Sequence, residues 1–65
     1  MKLDLKTWRI KAGLTQKKLA VLMGVTEQTI AKWENYETFL KSPQLIKFAE
    51  ITGARLEDIK LTKDS

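Results

Sequence analysis

The sequence predicts an all-α domain of five short helices, and three observations carry that prediction. Apolar residues recur at three- and four-residue spacing in several separate stretches. Each of the three glycines, Gly13, Gly24 and Gly53, follows such a stretch, where a helix ends most easily in a left-handed residue. Polar starters precede the middle stretches: Thr15, Thr26 and the pair Ser42-Pro43. A hydroxyl there accepts a hydrogen bond from a first-turn N–H that lacks a helical partner.

The first helix is expected over about Leu3–Ala12, with Leu5, Trp8 and Ala12 on its inner face. Asp4 near its start and Lys11 near its end suit the helix dipole. The second and third occupy Thr15–Glu34, the stretch around which the chain is organised. Thr15 caps one and Thr26 the other, and Gly24-Val25 makes the turn between them. Leu19, Ala20, Leu22 and Met23 form an apolar side on the first of this pair, and Ile30 and Trp33 on the second. Ala20 lies where the two cross, and its small side chain permits close approach. Glu27, Gln28, Thr29 and Lys32 are then turned outward, as a helix entering the DNA major groove requires.

From Asn35 to Ser42 the periodicity fails, which marks a loop. Phe39 and Leu40 either pack back on the core or form a surface for a partner. Ser42 caps a fourth helix with Pro43 in its first turn, where the missing N–H costs nothing. Its inner face comprises Leu45, Ile46, Phe48, Ala49 and Thr52, and Gly53 stops it. A last helix over about Leu56–Leu61 points Leu56 and Ile59 inward. Residues 62–65 read as a frayed tail.

Sixty-five residues make one small domain, 1–65. With no cysteine and no histidine, no disulfide, thiolate metal site or imidazole base is available. The carboxylates Glu27, Glu34, Glu37 and Glu50 form no pair, and the glycines form no phosphate loop, so neither an enzyme nor a cofactor or metal site is expected. The hydrophobic fraction of 43% suits a folded domain rather than a disordered tail. No apolar run approaches the roughly 20 residues that span a bilayer, and the charged N-terminal stretch is unlike a secretory signal. A cytoplasmic protein without membrane partners is therefore expected. Twelve Lys and Arg against eight Asp and Glu leave a net charge of +4, which favours an acidic partner such as nucleic acid.

Arg9, Gly13-Leu14-Thr15-Gln16, Leu19-Ala20, Gly24-Val25-Thr26, Ile30, Trp33-Glu34, Pro43, Leu45, Ala49, Gly53, Leu56 and Ile59 stand in an order that spans almost the whole chain. This set resembles the Cro/repressor-type helix-turn-helix regulators of phages and bacteria. The resemblance implies a compact five-helix, lambda-repressor-like domain with its helix-turn-helix at about 15–34. It implies a transcription regulator, a repressor by analogy, that binds double-stranded DNA. Members of this family commonly hold a phosphate with the side chain corresponding to Gln16, and an arginine and a glutamate placed like Arg9 and Glu34 often form a structural salt bridge. Many members carry glycine where Tyr36 stands. Either the third helix runs on there, or Asn35 supplies the left-handed turn.

By chemistry, Gln28 matches adenine N6 and N7, Lys32 donates to guanine O6 and N7, and the Thr29 methyl meets a thymine methyl. Glu27 accepts from cytosine N4, repels phosphate at wrong sites, or simply stabilises its helix N-terminus. Thr15, Gln16, Lys17, Asn35 and Lys41 are the phosphate candidates, the lysines having simple solvation as their alternative. Trp8 and Trp33 are expected in the core. The resemblance also implies a two-fold complex. Leu61 is the best apolar candidate for its interface, and Asp58 and Lys60 beside Ile59 favour a homodimer assembled on DNA over a strong free dimer. The rival expectation is a protein-interaction module, an antirepressor or antitoxin docking on another regulator.

Overall fold

The computed structural model describes residues 2–63. Four α-helices follow one another: α1 Leu5–Lys11, α2 Gln16–Met23, α3 Glu27–Glu34 and α4 Ser42–Thr52, with a 3-10 turn at Leu56–Asp58. Four helices and a turn thus replace five helices. The difference lies at the C-terminal end, where only Leu56–Asp58 coil and Ile59 is already extended.

The core is built by all four helices. Leu5, Leu19, Ala20, Met23, Ile30, Trp33, Phe48, Ala49, Ala54 and Ile59 are buried, and Trp8, Leu14, Val25, Tyr36, Leu40, Leu45 and Ile51 pack on them. Leu19, Ile30, Phe48 and Ile59 are each only 1% exposed, so each contributes about 1.5–3 kcal/mol by leaving water. Ala20 is buried where α2 packs on α3.

Helix α1 starts two residues later than its periodicity suggests. Asp4 is its cap, accepting from the Thr7 N–H at 2.8 Å. Leu3 instead makes a parallel bridge with Ile59: its N–H donates to the Asp58 carbonyl at 3.0 Å, and the Lys60 N–H donates to its carbonyl at 2.8 Å. The half-buried Trp8 donates its indole N–H to the same Asp58 carbonyl at 3.0 Å. These bonds tie α1 to the 3-10 turn.

Several side chains expected inside lie outside. Leu22, Ile46 and Leu56 are 46%, 52% and 48% exposed. Each sits at the edge of its apolar stripe, and the core has no second layer to cover an edge. Phe39 is also exposed, while Leu40 beside it packs inward. The cap of α4 is Lys41 rather than Ser42. Its carbonyl accepts from the Leu45 N–H at 2.9 Å, and the Gln44 side chain accepts from its N–H at 2.8 Å. A lysine offers no acceptor of its own, so Gln44 satisfies the turn from inside. Of the expected frayed tail, residues 64 and 65 lie outside the described residues.

The end of α3 departs from both sequence alternatives. Asn35 stays near the helical region at φ −89° and ψ 1°, and Tyr36 itself takes the left-handed conformation at φ 58°. Its ring packs on the core, and its hydroxyl donates to the Lys60 carbonyl at 2.7 Å. Burial pushes this phenol above its ordinary value, which keeps the donor proton in place.

Candidate nucleic-acid interface

The turn between α2 and α3 is closed locally. Gly24 lies at φ 72°, its N–H donates to the Val21 carbonyl at 3.2 Å, and the Val25 N–H reaches back to Ala20 at 3.0 Å. Thr15 caps α2 by accepting from the Lys18 N–H at 3.0 Å. Thr26 caps α3 by accepting from the Thr29 N–H at 3.2 Å. With Ile30 and Trp33 locked into the core, helical geometry turns Glu27, Gln28 and Lys32 to solvent, and all three are exposed. Glu27 in the first turn and Lys32 in the last complement the helix dipole. Thr29 is only half-exposed, and its hydroxyl lies 2.9 Å from that of Thr26. That contact uses one of the hydroxyl's hydrogen-bonding positions and leaves both a lone pair and the methyl group of Thr29 for a partner.

One polar cluster holds the arrangement together. The Arg9 Nε donates to Glu34 Oε2 at 2.5 Å and its Nη2 to Oε1 at 3.3 Å, while Nη1 donates to the Leu14 carbonyl at 2.8 Å. The two charged side chains are 10% and 5% exposed. Gln16 joins them, its amide donating to Glu34 Oε1 at 3.0 Å. Glu34 at the end of α3 is thus gripped from α1 and from the start of α2. Among the described residues no buried side-chain polar atom lacks a partner.

The other candidates lie apart from this cluster. Thr15, Lys17, Asn35 and Lys41 are exposed, Thr15 and Lys17 at the head of α2, Asn35 at the foot of α3 and Lys41 at the head of α4. The link from Gln16 to Glu34 carries no sequence signal, because it spans two helices. Lys18, exposed beside Lys17, is a further cation that charge alone could have marked.

Among the described residues no helix is long and apolar enough to cross a membrane. The sequence model of the helix-turn-helix family matches residues 5–59, from the first residue of α1 to the buried Ile59. No curated protein and no solved structure shows a significant match. With that match, and with two capped helices meeting across the Gly24 turn, the chain belongs to the Cro/repressor-type helix-turn-helix family, whose members are DNA-binding transcription regulators rather than typical enzymes.

Proposed function

We propose that this chain is a repressor of phage or bacterial type, acting in the cytoplasm on an operator of two-fold symmetry. The observation that carries the reading is α3: its inner face is locked by Ile30 and Trp33, its end is clamped through Glu34, and Glu27, Gln28 and Lys32 stand exposed. A rigid helix with exposed hydrogen-bonding groups is what direct readout of base edges needs. In this reading Gln28 pairs with adenine, Lys32 with guanine and Glu27 with cytosine, while the Thr29 methyl contacts thymine. Thr15, Gln16, Lys17, Asn35 and Lys41 hold phosphates on the two flanks. Gln16 can do so without leaving Glu34, because a side-chain amide carries two N–H donors.

Two copies meet on the DNA rather than beforehand. The apolar shelf made by Leu40, Leu45, Phe39 and Leu61 supplies a surface for their contact, the last two being 60% and 44% exposed, while Asp58 and Lys60 beside Ile59 weaken it in the absence of DNA. In vitro selection against random duplexes at near-physiological salt tests the proposal, and the expected result is a two-fold-symmetric motif. Variants then separate the roles. Lys32→Ala is expected to change base preference. Lys41→Ala is expected to weaken all sequences alike and to lower the salt slope by about 1. Absence of an enriched motif, or equal effects of the two variants, would overturn the reading.

A further inference from the structure

Helix α2 has a second face of which the DNA reading uses only Lys17. Leu19, Ala20 and Met23 point into the core, while Val21 lies on the outer side and Leu22 at the margin, 75% and 46% exposed. A surface helix normally carries polar residues there. Leu14, Lys17, Lys18, Val21 and Leu22 line an open groove of about 590 Å³. Lys17, Lys18, Val21 and Leu22 share one side of α2, and Leu14 lies just before the helix begins. Leu14 is half-buried against the core and forms a firm floor.

The charge around this groove has one sign. From Leu5 to Thr26 the chain carries Lys6, Arg9, Lys11, Lys17 and Lys18 and no acidic residue. Arg9 is neutralised by Glu34, whereas Lys17 and Lys18 are exposed at the groove itself. Lysine stems lie readily along apolar walls while the ammonium groups stay at the rim. An apolar groove carrying two exposed ammonium groups and no carboxylate is the complement of an amphipathic helix with a leucine-type ridge and neighbouring carboxylates.

We propose that this groove docks an acidic amphipathic helix of a partner protein. Duplex DNA would satisfy the lysines but would leave Val21 and Leu22 uncovered. A second copy meeting this face across a two-fold axis would set Lys17 and Lys18 near their own counterparts, like charge against like. The proposal shares one residue with the repressor reading, Lys17, which is a phosphate candidate there; Leu14, Lys18, Val21 and Leu22 belong to neither the base-reading nor the phosphate set.

The test is a titration of the full chain, labelled with nitrogen-15, by a synthetic helical peptide of about four turns. Its leucines recur at i, i+3, i+4 and i+7, and glutamates occupy the flanks. Two control peptides keep the helix but replace all leucines by serine or all glutamates by lysine. The expected result is saturable amide shifts at residues 14–22, with affinity lost at least roughly tenfold for each control peptide and for Val21→Ser. The double change Lys17→Glu with Lys18→Glu should lose binding to the glutamate peptide and gain it for the lysine peptide. Val21 is exposed enough that its replacement leaves the fold in place, and the peptide controls need no variant at all. Four outcomes would overturn the proposal: no saturable shift, shifts centred on α3 or α4, equal binding of the serine peptide, or sedimentation showing self-association that Val21→Ser abolishes.

Discussion

Two left-handed turns bracket α3, and they are closed by the same pattern of backbone bonds. Before the helix, the Val25 N–H reaches back five residues to Ala20, with Gly24 at φ 72° between them. After it, the Glu37 N–H reaches back five residues to Lys32 at 2.9 Å, with Tyr36 at φ 58°. Glycine takes this conformation freely, whereas a residue with a Cβ gives up about 1–2 kcal/mol. At Gly24 nothing beyond the neighbouring backbone is needed. At Tyr36 the strain is offset from a distance, by ring burial and by the hydroxyl bond to Lys60. One end of α3 is therefore held by local conformation and the other by tertiary contacts.

Breaking the tertiary end should cost most. Glu34→Ala strands the Arg9 guanidinium, which is 8% exposed as a residue, and is expected to destabilise by about 3 kcal/mol in urea melts. A loss under about 0.5 kcal/mol, the range of an ordinary surface change, would mean that the cluster does not hold α3. The local end comes next. A Cβ at Gly24 meets nothing within 4 Å, so Gly24→Ala isolates the backbone term and should cost about 1–2 kcal/mol. Thermal melts would show that as a fall of roughly 4–8 °C per kcal/mol. Tyr36→Phe keeps the ring and removes only the donor to Lys60. About 1 kcal/mol should be lost, and a variant as stable as the parent would assign the compensation to packing alone.

The smallest effect lies at the start of α1, beside the extended segment to which the Tyr36 hydroxyl is bonded. The Thr7 hydroxyl and backbone N–H hold the Asp4 carboxyl below its ordinary value of 3.8. The charged form therefore favours the fold. This stability is present above about pH 3.8 and is lost as pH falls through the depressed folded-state value. Asp4→Ala should cost up to about 1 kcal/mol at neutral pH, with the gap between variant and parent closing in acid. A gap that stays constant down to about pH 2, well below the ordinary carboxylate range, would contradict this account.

What could be read from the sequence follows the same division. Thr15, Gly24, Thr26 and Gly53 act through bonds to residues within five positions, so their roles are visible in a linear string. Periodicity likewise marks which side of α3 turns outward. It marks a side but not its depth: Leu22, Ile46 and Leu56 have the right residue type at the margin of a stripe, and a four-helix core leaves margins in water. The extended pairing of Leu3 with Ile59 and the conformation of Tyr36 depend on segments far apart in sequence, which no local pattern records. The resemblance pointed to Arg9 and Glu34, but the part played by Gln16 emerges only when α2 and α3 are set side by side.

The short segment 58–60 is bonded to three remote places: the Asp58 carbonyl accepts from Leu3 and Trp8, the Lys60 N–H donates to Leu3, and the Lys60 carbonyl accepts from Tyr36. It acts as a clasp. A chain is synthesised from its N-terminus, so α1 and the left-handed turn after α3 cannot reach their final bonding until these residues leave the ribosome. Helix α3 then gains the last of its braces only when the whole domain has been made: a fragment halted before residue 58 would keep the Arg9–Glu34 cluster but lack the partner of the Tyr36 hydroxyl.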